Sequence, residues 1–204
     1  MKTLIITAHP ATNAFTHRIA TLLKEEREKE GKNVEIFDLY KTDLKQDFLS
    51  FESRQELKLE NPIRTQIQNK MKEADEYVFI HPLWWLNMPA IMKNFLDQNI
   101  TAGFAFHYEN GKRIPHLTDK KVRLYITCDG PVPIYYLLGL PFIKIWYFGI
   151  FVFCGMKLQS FDIVRLLNKT EEERTQILQD IKRRSNKSSV LIQFFNFLTS
   201  KIKL

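Results

Sequence analysis

Short runs of apolar and β-branched residues alternate along this chain with longer segments whose apolar residues recur at helical spacing. Such alternation is typical of a parallel sheet whose strands are connected by helices. Strands are predicted at residues 3–8, 34–39, 77–82, 122–128 and 150–154. Helices are predicted at residues 15–31, 63–74 and 88–98. The pattern therefore predicts an α/β three-layer sandwich around a central five-stranded parallel sheet.

The strands at residues 4–7 and 77–80 are almost continuously apolar, as expected of central strands covered on both faces. Ligands of such sheets bind beyond the carboxyl ends of the strands. Three segments follow strands at that edge, at residues 9–16, 81–87 and 127–135. We expect these segments to converge on one crevice.

The last third of the chain holds two further apolar segments. Residues 141–156 are apolar but are interrupted by Lys144 and Gly149, and they fall short of the ~20 residues of a membrane span, so a buried helix end plus a strand is predicted. Residues 188–204 form a candidate amphipathic helix. This tail could pack on its own core or a dimer mate, or dock to a membrane or protein partner. The main domain is expected at residues 1–187.

Composition excludes several classes of protein. A hydrophobic fraction of 45% and a charged fraction of 26% are average for a soluble globular protein. Cys128 and Cys154 form no redox, zinc or disulfide motif, which favours the reducing cytoplasm. The net charge of +7 is accompanied by no nucleic-acid-binding signature, so no nucleic-acid partner is expected. The five histidines lack zinc-ligand spacing, so no metal is expected.

The segment after the first strand, at residues 9–16, is rich in hydroxyl, amide and backbone donors and leads into a helix. A helix amino terminus is a ready anion site. The glycines of the dinucleotide fingerprint and the P-loop are missing, so this segment would hold a phosphate through side chains and amides. The alternative is that Thr12 or Asn13 simply caps the helix.

The second segment, His81-Pro82-Leu83-Trp84-Trp85-Leu86, places two tryptophans on a turn that leaves a central strand. Rigid aromatic walls with exposed backbone amides suit a planar ring cofactor, although the tryptophans could instead pack the strand end. Two further segments carry polar or aromatic groups. Thr127 to Pro131 forms a glycine turn followed by Tyr135, and residues 103–108 place aromatic residues around a small one.

These residues together resemble the flavodoxin-like NAD(P)H:quinone reductases, a family that includes bacterial modulators of drug activity and ancillary flavoproteins of potassium efflux systems. The resemblance covers residues 4–167. It rests on Pro82-Leu83-Trp84-Trp85, on Met88-Pro89-Ala90-Ile91-Met92-Lys93, and on Gly103-Phe104-Ala105-Phe106, supported by His9-Pro10, Asp38-Leu39-Tyr40 and Thr127 to Gly130.

The resemblance implies a flavodoxin-like fold with strand order 2-1-3-4-5 and a bound flavin, FMN or FAD, with NAD(P)H as electron donor. Its implied flavin-binding residues are His9, Phe15, Thr16, Gln68, Pro82, Leu83, Trp84, Trp85, Leu86, Thr127, Cys128, Asp129 and Gly130. Tyr135 matches a catalytic tyrosine. Phe106 and Tyr108 match aromatics of the nicotinamide or quinone pocket, which the family completes across a homodimer.

The implied activity is hydride transfer from NAD(P)H through flavin N5 to a quinone or similar small acceptor. The chain departs from the family at Asp129, where a second glycine is frequent, and at Pro141, which replaces a histidine, so a relay through that histidine cannot operate. The alternative function is a regulatory flavoprotein that binds a membrane transporter through its basic, aromatic tail, with incidental reductase activity.

Overall fold

A five-stranded parallel sheet forms the centre of the computed structural model, which describes residues 1–53, 56, 60–185 and 187. Its strands lie in the order β2-β1-β3-β6-β7. The seven strands of the described chain are β1 (Lys2–Thr7), β2 (Asn33–Asp38), β3 (Glu76–Pro82), β4 (Phe106–Glu109), β5 (Lys112–Pro115), β6 (Lys121–Cys128) and β7 (Lys157–Arg165). The first four predicted strands are confirmed within one residue at each end.

The expected strand order 2-1-3-4-5 is wrong in its numbering, because an unpredicted hairpin of β4 and β5 precedes the last two strands of the sheet. Asn110 and Gly111 connect the hairpin with φ angles of 50° and 75°. Asn-Gly between two short strands is the sequence signal of such a turn. The hairpin was not predicted despite this signal, because its two strands contain only four residues each.

The predicted strand at residues 150–154 is also wrong. Those residues lie at the end of a continuous helical segment, α5 (Pro141–Lys144) followed by a π-helix (Ile145–Val152), and the last strand is β7. A continuous apolar run does not distinguish a buried helix from a buried strand. The edge strand β7 carries polar residues such as Gln159 and Asp162, which concealed it.

The predicted helices are confirmed with small shifts of their ends. The described α-helices are α1 (Phe15–Lys29), α2 (Pro62–Glu73), α3 (Ala90–Asn99), α4 (Val132–Leu137), α5 and α6 (Glu171–Arg184). Gly31 follows α1 with a φ of 72°, a left-handed position that glycine adopts without strain. The helix α6 was not predicted; it begins with a capping box between Thr170 and Glu173.

Helices cover both faces of the sheet, which confirms the three layers. On one face, Leu4, Ile6 and Phe79 pack with α2, α3 and the π-helix. On the other face, Ile5 and Val78 pack with α1 and α6. Burial of these apolar strands on both sides explains why their sequences are almost continuously hydrophobic.

Within the described ranges, no helix has the length and apolar character needed to cross a bilayer. The tail at residues 188–204 lies outside the described residues, so the prediction of an amphipathic helix there stays a prediction.

Candidate active site

The three segments expected to converge meet at the carboxyl edge of the sheet. The rings of His9, after β1, and Trp84, after β3, lie 6.1 Å apart between centroids. The amide of Leu83 donates to the carbonyl oxygen of Thr127, at the end of β6, across 2.7 Å. These contacts join the ends of the three central strands into one wall.

Trp84 to Asn87 form a tight turn at this edge. Trp84 and Asn87 exchange two backbone hydrogen bonds of 2.9 Å each. Between them, Trp85 and Leu86 have φ angles of 52° and 57°. The left-handed conformation costs a residue with a side chain roughly 1–2 kcal/mol, and such strain persists where the surroundings impose it, frequently at ligand sites. Two consecutive left-handed residues between paired neighbours form a type I′ turn, which Trp85 and Leu86 adopt without the glycine or asparagine that usually occupies it.

The same turn exposes an unusual apolar surface. Trp85 is fully exposed and Trp84 is 41% exposed. The amides of Trp85 and Leu86 donate to no group within the described part of the chain. The turn therefore offers flat apolar walls next to backbone N–H donors, and the alternative that both tryptophans simply pack the strand end is wrong.

A buried histidine, His81, anchors this turn from below. Trp146 on the π-helix donates its indole N–H to His81 Nε2 across 3.1 Å. Because indole nitrogen only donates, Nδ1 carries the imidazole hydrogen, and it donates to the carbonyl oxygen of Pro82 at 2.8 Å. Burial lowers the pKa of His81 from 6.5 to about 4, so the ring is neutral at physiological pH. The first carbonyl of the Pro82 to Leu86 segment is thereby fixed.

Sequence reasoning included His81 in the second segment but assigned it no role, and it did not select Trp146. The position of His81 directly before Pro82 was a signal that could have identified it. Trp146 lies 65 residues further along the chain, and nothing in its local sequence marks the contact.

The amino terminus of α1 is open towards the crevice. Its N-cap residue, Ala14, makes no side-chain capping bond, and its first turn contains no acidic residue. The capping alternative for Thr12 or Asn13 is therefore wrong. Thr16 is buried, and its Oγ1 finds no hydrogen-bond partner in the described residues. Leaving a buried hydroxyl unpaired is unfavourable, so this helix end fits an external acceptor such as a phosphate oxygen.

His9 lies in the loop that leads to α1. Its Nδ1 accepts the amide hydrogen of Ala11 at 3.0 Å. Burial lowers the pKa of His9, and the nearby imidazole of His17 lowers it further. Phe15, at the start of α1, packs its ring into the core, with the Arg18 guanidinium 5.2 Å from the ring centroid. Only the backbone of Phe15 is placed to contact a ligand at the helix end.

The turn after β6 is closed by Tyr135. A Cβ added to Gly130 would lie 2.0 Å from Tyr135 Oη, so glycine is required for the tyrosine to lie against this turn. Burial raises the pKa of Tyr135, with smaller contributions from Cys128 and Asp129, while a hydrogen bond with the Gly130 backbone opposes the rise. The hydroxyl therefore stays protonated at neutral pH and is available as a donor.

Cys128 contributes a thiol that remains protonated. Burial raises its pKa to about 11, with a further contribution from Asp129, and the Sγ atom lies 3.9 Å from the carbonyl oxygen of Gly130. The side chain of Asp129 is exposed at the turn. A protonated thiol is a weak hydrogen-bond donor and not a nucleophile at neutral pH.

Three of the predicted site residues lie elsewhere in the chain's own structure. Gln68 donates to the carbonyl of Asn99 at 3.0 Å and to Thr101 Oγ1 at 3.1 Å. These partners lie at the carboxyl end of α3, roughly 15 Å of helix away from the crevice. Phe106 and Tyr108 lie on β4, where the Phe106 ring packs against Phe153 at the end of the π-helix.

The fold and its edge site define an α/β protein that binds a ligand beyond parallel strands. A family model described as the flavodoxin-like fold matches residues 1–187. The chain belongs to this family, as its resemblance to flavodoxin-like proteins implied.

Two curated relatives and one solved structure illustrate the similarity. A Haemophilus influenzae protein named "Uncharacterized NAD(P)H oxidoreductase" is 32% identical over 80% of this chain and 83% of its own length. The rat NAD(P)H dehydrogenase [quinone] 1 is 26% identical over 90% of this chain and 76% of its own. An FMN-dependent NADH-azoreductase of Bacillus anthracis, solved in complex with FMN, superposes with a TM-score of 0.69 at 20% identity, covering 90% of this chain and 98% of that one.

Proposed function

We propose that this protein is a flavin-dependent NAD(P)H oxidoreductase that reduces a quinone or a similar small acceptor. The proposal rests on two features that lie at the same edge of the sheet. One is the uncapped amino terminus of α1, with the unpaired hydroxyl of Thr16. The other is the strained aromatic turn from Trp84 to Asn87, with its free backbone amides. The names of the relatives, an NAD(P)H oxidoreductase and a quinone dehydrogenase, support the same activity.

The amino terminus of α1 is proposed to hold the phosphate of the flavin, FMN or FAD. Thr16 Oγ1 would donate to a phosphate oxygen, together with the first amides of the helix. His9 is neutral and lies between this helix end and Trp84, where it would contact the chain that links the phosphate to the ring.

The segment from Pro82 to Leu86 is proposed to line the flavin ring. Leu83, Trp84 and Trp85 supply apolar and aromatic walls, and the free amides of Trp85 and Leu86 would bond the polar edge of the ring. Thr127, Cys128, Asp129 and Gly130 would face the opposite part of the ring. When bound, the flavin accepts a hydride from NAD(P)H and delivers it to the acceptor.

Tyr135 is proposed to act as the catalytic donor. Its protonated hydroxyl, held against Gly130, would donate a hydrogen bond where negative charge develops on reduction. Pro141 begins α5 at the position of the family's histidine and has no ionisable side chain, so Tyr135 would act without that partner.

A homodimer is proposed to complete the acceptor pocket. Phe106 lines a largely apolar groove of about 430 Å³ between α3 and the π-helix, and Tyr108 beside it is 62% exposed. These aromatics do not lie at the crevice of their own chain. A second copy packed on this apolar face would bring them to the partner's crevice, which is how the predicted roles of Phe106 and Tyr108 would be fulfilled.

Gln68 is the predicted flavin contact that the geometry supports least, because its amide is already bonded at the distal end of α3. The domain at residues 1–187, the cytoplasmic location and the transporter-binding alternative stay predictions. The tail that motivated the alternative lies outside the described residues.

Anaerobic rapid mixing tests the proposed activity. Protein reconstituted with FMN or FAD is expected to lose flavin absorbance on addition of NADH or NADPH and to regain it on addition of a quinone. Tyr135→Phe is expected to slow reduction by about tenfold or more while binding flavin normally. Tyr136→Phe, an exposed neighbouring tyrosine, is the matched control. Flavin that stays oxidised in the presence of both nucleotides would contradict the proposal.

A further inference from the structure

A histidine in the first turn of α1, His17, has one ring nitrogen without a partner. Its Nε2 atom is buried and makes no hydrogen bond within the described residues, and the whole side chain is only 15% exposed. Leaving a buried polar atom unpaired is unfavourable, so this position favours an external hydrogen-bonding group. The neighbouring Thr16 Oγ1, which is unpaired in the same way, lies where the flavin phosphate is proposed to bind.

The other ring nitrogen of His17 faces a carboxylate. Nδ1 lies 3.7 Å from Oδ2 of Asp38, the last residue of β2, whose side chain is 13% exposed. An ionised carboxylate only accepts hydrogen bonds, so Asp38 favours a hydrogen on Nδ1. In the neutral ring this is the single hydrogen, and Nε2 then carries a lone pair. His17 can therefore donate from Nε2 only when the ring is protonated.

The His17 ring lies at the edge of the sheet where the crevice opens. Asp38 ends β2, and His9, whose ring centroid lies 6.4 Å from that of His17, follows β1. Cα–Cβ bonds in a helix tilt towards its amino terminus, so a side chain in the first turn leans towards the helix end. The backbone N–H of His17 already donates to the carbonyl oxygen of Ala14 at 3.0 Å. The side chain is therefore the group of His17 that remains for a ligand.

The charges around this helix end depend on the state of His17. Asp38 Oδ2 also lies 3.6 Å from Lys41 Nζ. Arg18 is paired with Glu171 at 2.9 Å. With a neutral His17, each cation here is matched by one carboxylate, and with a protonated His17 one positive charge is left over. A phosphate monoester such as that of FMN carries about −1.5 to −2 charges at pH 7, so it favours the protonated ring.

We propose that His17 takes up a proton when the flavin phosphate binds and donates from Nε2 to a phosphate oxygen, while Asp38 supports the positive ring at Nδ1. The inference rests on the proposed function, because it requires the phosphate to lie at the amino terminus of α1. The positive end of the helix opposes a charged imidazole until an anion is bound, which couples the proton to the ligand. Flavin affinity is then expected to fall as pH rises through the range in which histidine loses its charge.

Calorimetric titration of the full chain, freed of bound flavin, tests this coupling with FMN, FAD and riboflavin. In two buffers of different ionisation enthalpy at pH 7.5, binding of FMN or FAD to the wild type is expected to take up at least about half a proton per flavin. Between pH 7 and pH 8.5, above the second phosphate pKa of about 6, the affinity is expected to fall about fivefold to tenfold. Riboflavin, which lacks the phosphate, is expected to bind without proton uptake.

Three variants assign the proton. His17→Gln keeps a neutral donor, and its affinity for FMN or FAD is expected to stay near the wild-type value at pH 8.5 throughout this pH range. Asp38→Asn keeps the acceptor for the amide of Tyr40 but removes the negative charge, so it is expected to reduce proton uptake. His116→Gln, which replaces an exposed histidine just after β5, is the matched control and is expected to behave like the wild type.

The outcomes separate this inference from the proposed function. If the wild type binds FMN or FAD without proton uptake, or if His17→Gln retains the pH dependence, the inference is overturned and the proposed function stands. Equal proton uptake with riboflavin would also overturn the inference, because the proton would then not depend on the phosphate. A wild type that binds neither FMN nor FAD would overturn both.

Discussion

Trp146 donates its indole hydrogen to Nε2 of the fully buried His81 across 3.1 Å, and the two rings lie nearly parallel at 21°. This bond crosses from the π-helix to the end of β3 and selects the imidazole tautomer that holds the Pro82 carbonyl. π-Helical segments are rare, and they frequently occur at functional sites. The anchoring of the Trp84–Asn87 turn can be tested independently of catalysis.

The first prediction concerns acid stability. The pKa of His81 is lowered from 6.5 to about 4 in the folded protein, so the unfolded chain binds the proton more readily. The contribution of His81 to stability is therefore complete above pH 6.5 and is lost as pH falls towards 4. Between pH 7 and pH 5 the loss is about 2 kcal/mol.

His81→Gln removes this titration but keeps a donor and an acceptor. Urea unfolding at pH 7 and pH 5 is expected to show a smaller acid-induced loss of unfolding free energy in His81→Gln than in the wild type. The exposed His116→Gln is expected to behave like the wild type. Equal pH dependence of wild type and His81→Gln would show that His81 does not remain neutral in the fold.

The second prediction concerns the effect of Trp146 on flavin affinity. Trp146→Phe removes the indole donor, so His81 no longer has a fixed tautomer and the Pro82 carbonyl loses its anchor. One buried hydrogen bond contributes about 1–1.5 kcal/mol. We therefore expect the flavin dissociation constant, measured by fluorescence titration, to rise roughly tenfold.

Phe151→Leu is the control for Trp146→Phe, because Phe151 packs against Trp146 in the same core, with ring centroids 5.4 Å apart. It is expected to lower the unfolding free energy without changing flavin affinity. Equal flavin affinity in Trp146→Phe and the wild type would show that the bond from Trp146 does not support flavin binding.

The third prediction concerns the close approach of Gly130 and Tyr135. In Gly130→Ala, the added Cβ would lie only 2.0 Å from Tyr135 Oη, so the tyrosine must move away from the turn. Gly130→Ala is expected to lower the rate of flavin reduction by NAD(P)H about as much as Tyr135→Ala does. Because both changes displace the same hydroxyl, the double variant is expected to be no slower than either single one. Additive losses would argue against this shared cause.

The fourth prediction concerns the strain in the aromatic turn. Leu86→Gly relieves a left-handed residue and is expected to raise the unfolding free energy by about 1 kcal/mol while weakening flavin binding through loss of the apolar wall. Asn110→Gly relieves the corresponding conformation in the β4–β5 hairpin and is expected not to change flavin affinity. A higher unfolding free energy together with weaker flavin binding in Leu86→Gly would support strain in the turn. A loss of both unfolding free energy and flavin affinity would show that the turn is not strained.

The sequence was sufficient to predict four of the five sheet strands, the three layers and the convergence of the three loops, because the inner parallel strands are almost continuously apolar and the carboxyl ends of parallel strands share an edge. It was not sufficient for β7, whose polar residues resemble a loop, or for the hairpin of two short strands. At the site, the contact between His81 and Trp146 depends on tertiary packing alone. The distal position of Gln68 likewise follows from how α2 packs against α3.

The most direct test of the central claim is a flavin titration of wild type, Thr16→Val and Thr118→Val. Hydrogen bonds to charged groups contribute about 1.5–3 kcal/mol, so Thr16→Val is expected to weaken flavin binding roughly tenfold to a hundredfold. Its unfolding free energy without flavin is expected to be unchanged or higher, because the buried hydroxyl has no partner among the described residues. Thr118→Val, an exposed threonine on a distant loop, is expected to bind as the wild type does. Wild-type protein that binds neither FMN nor FAD, or Thr16→Val that binds flavin with wild-type affinity, would contradict the account.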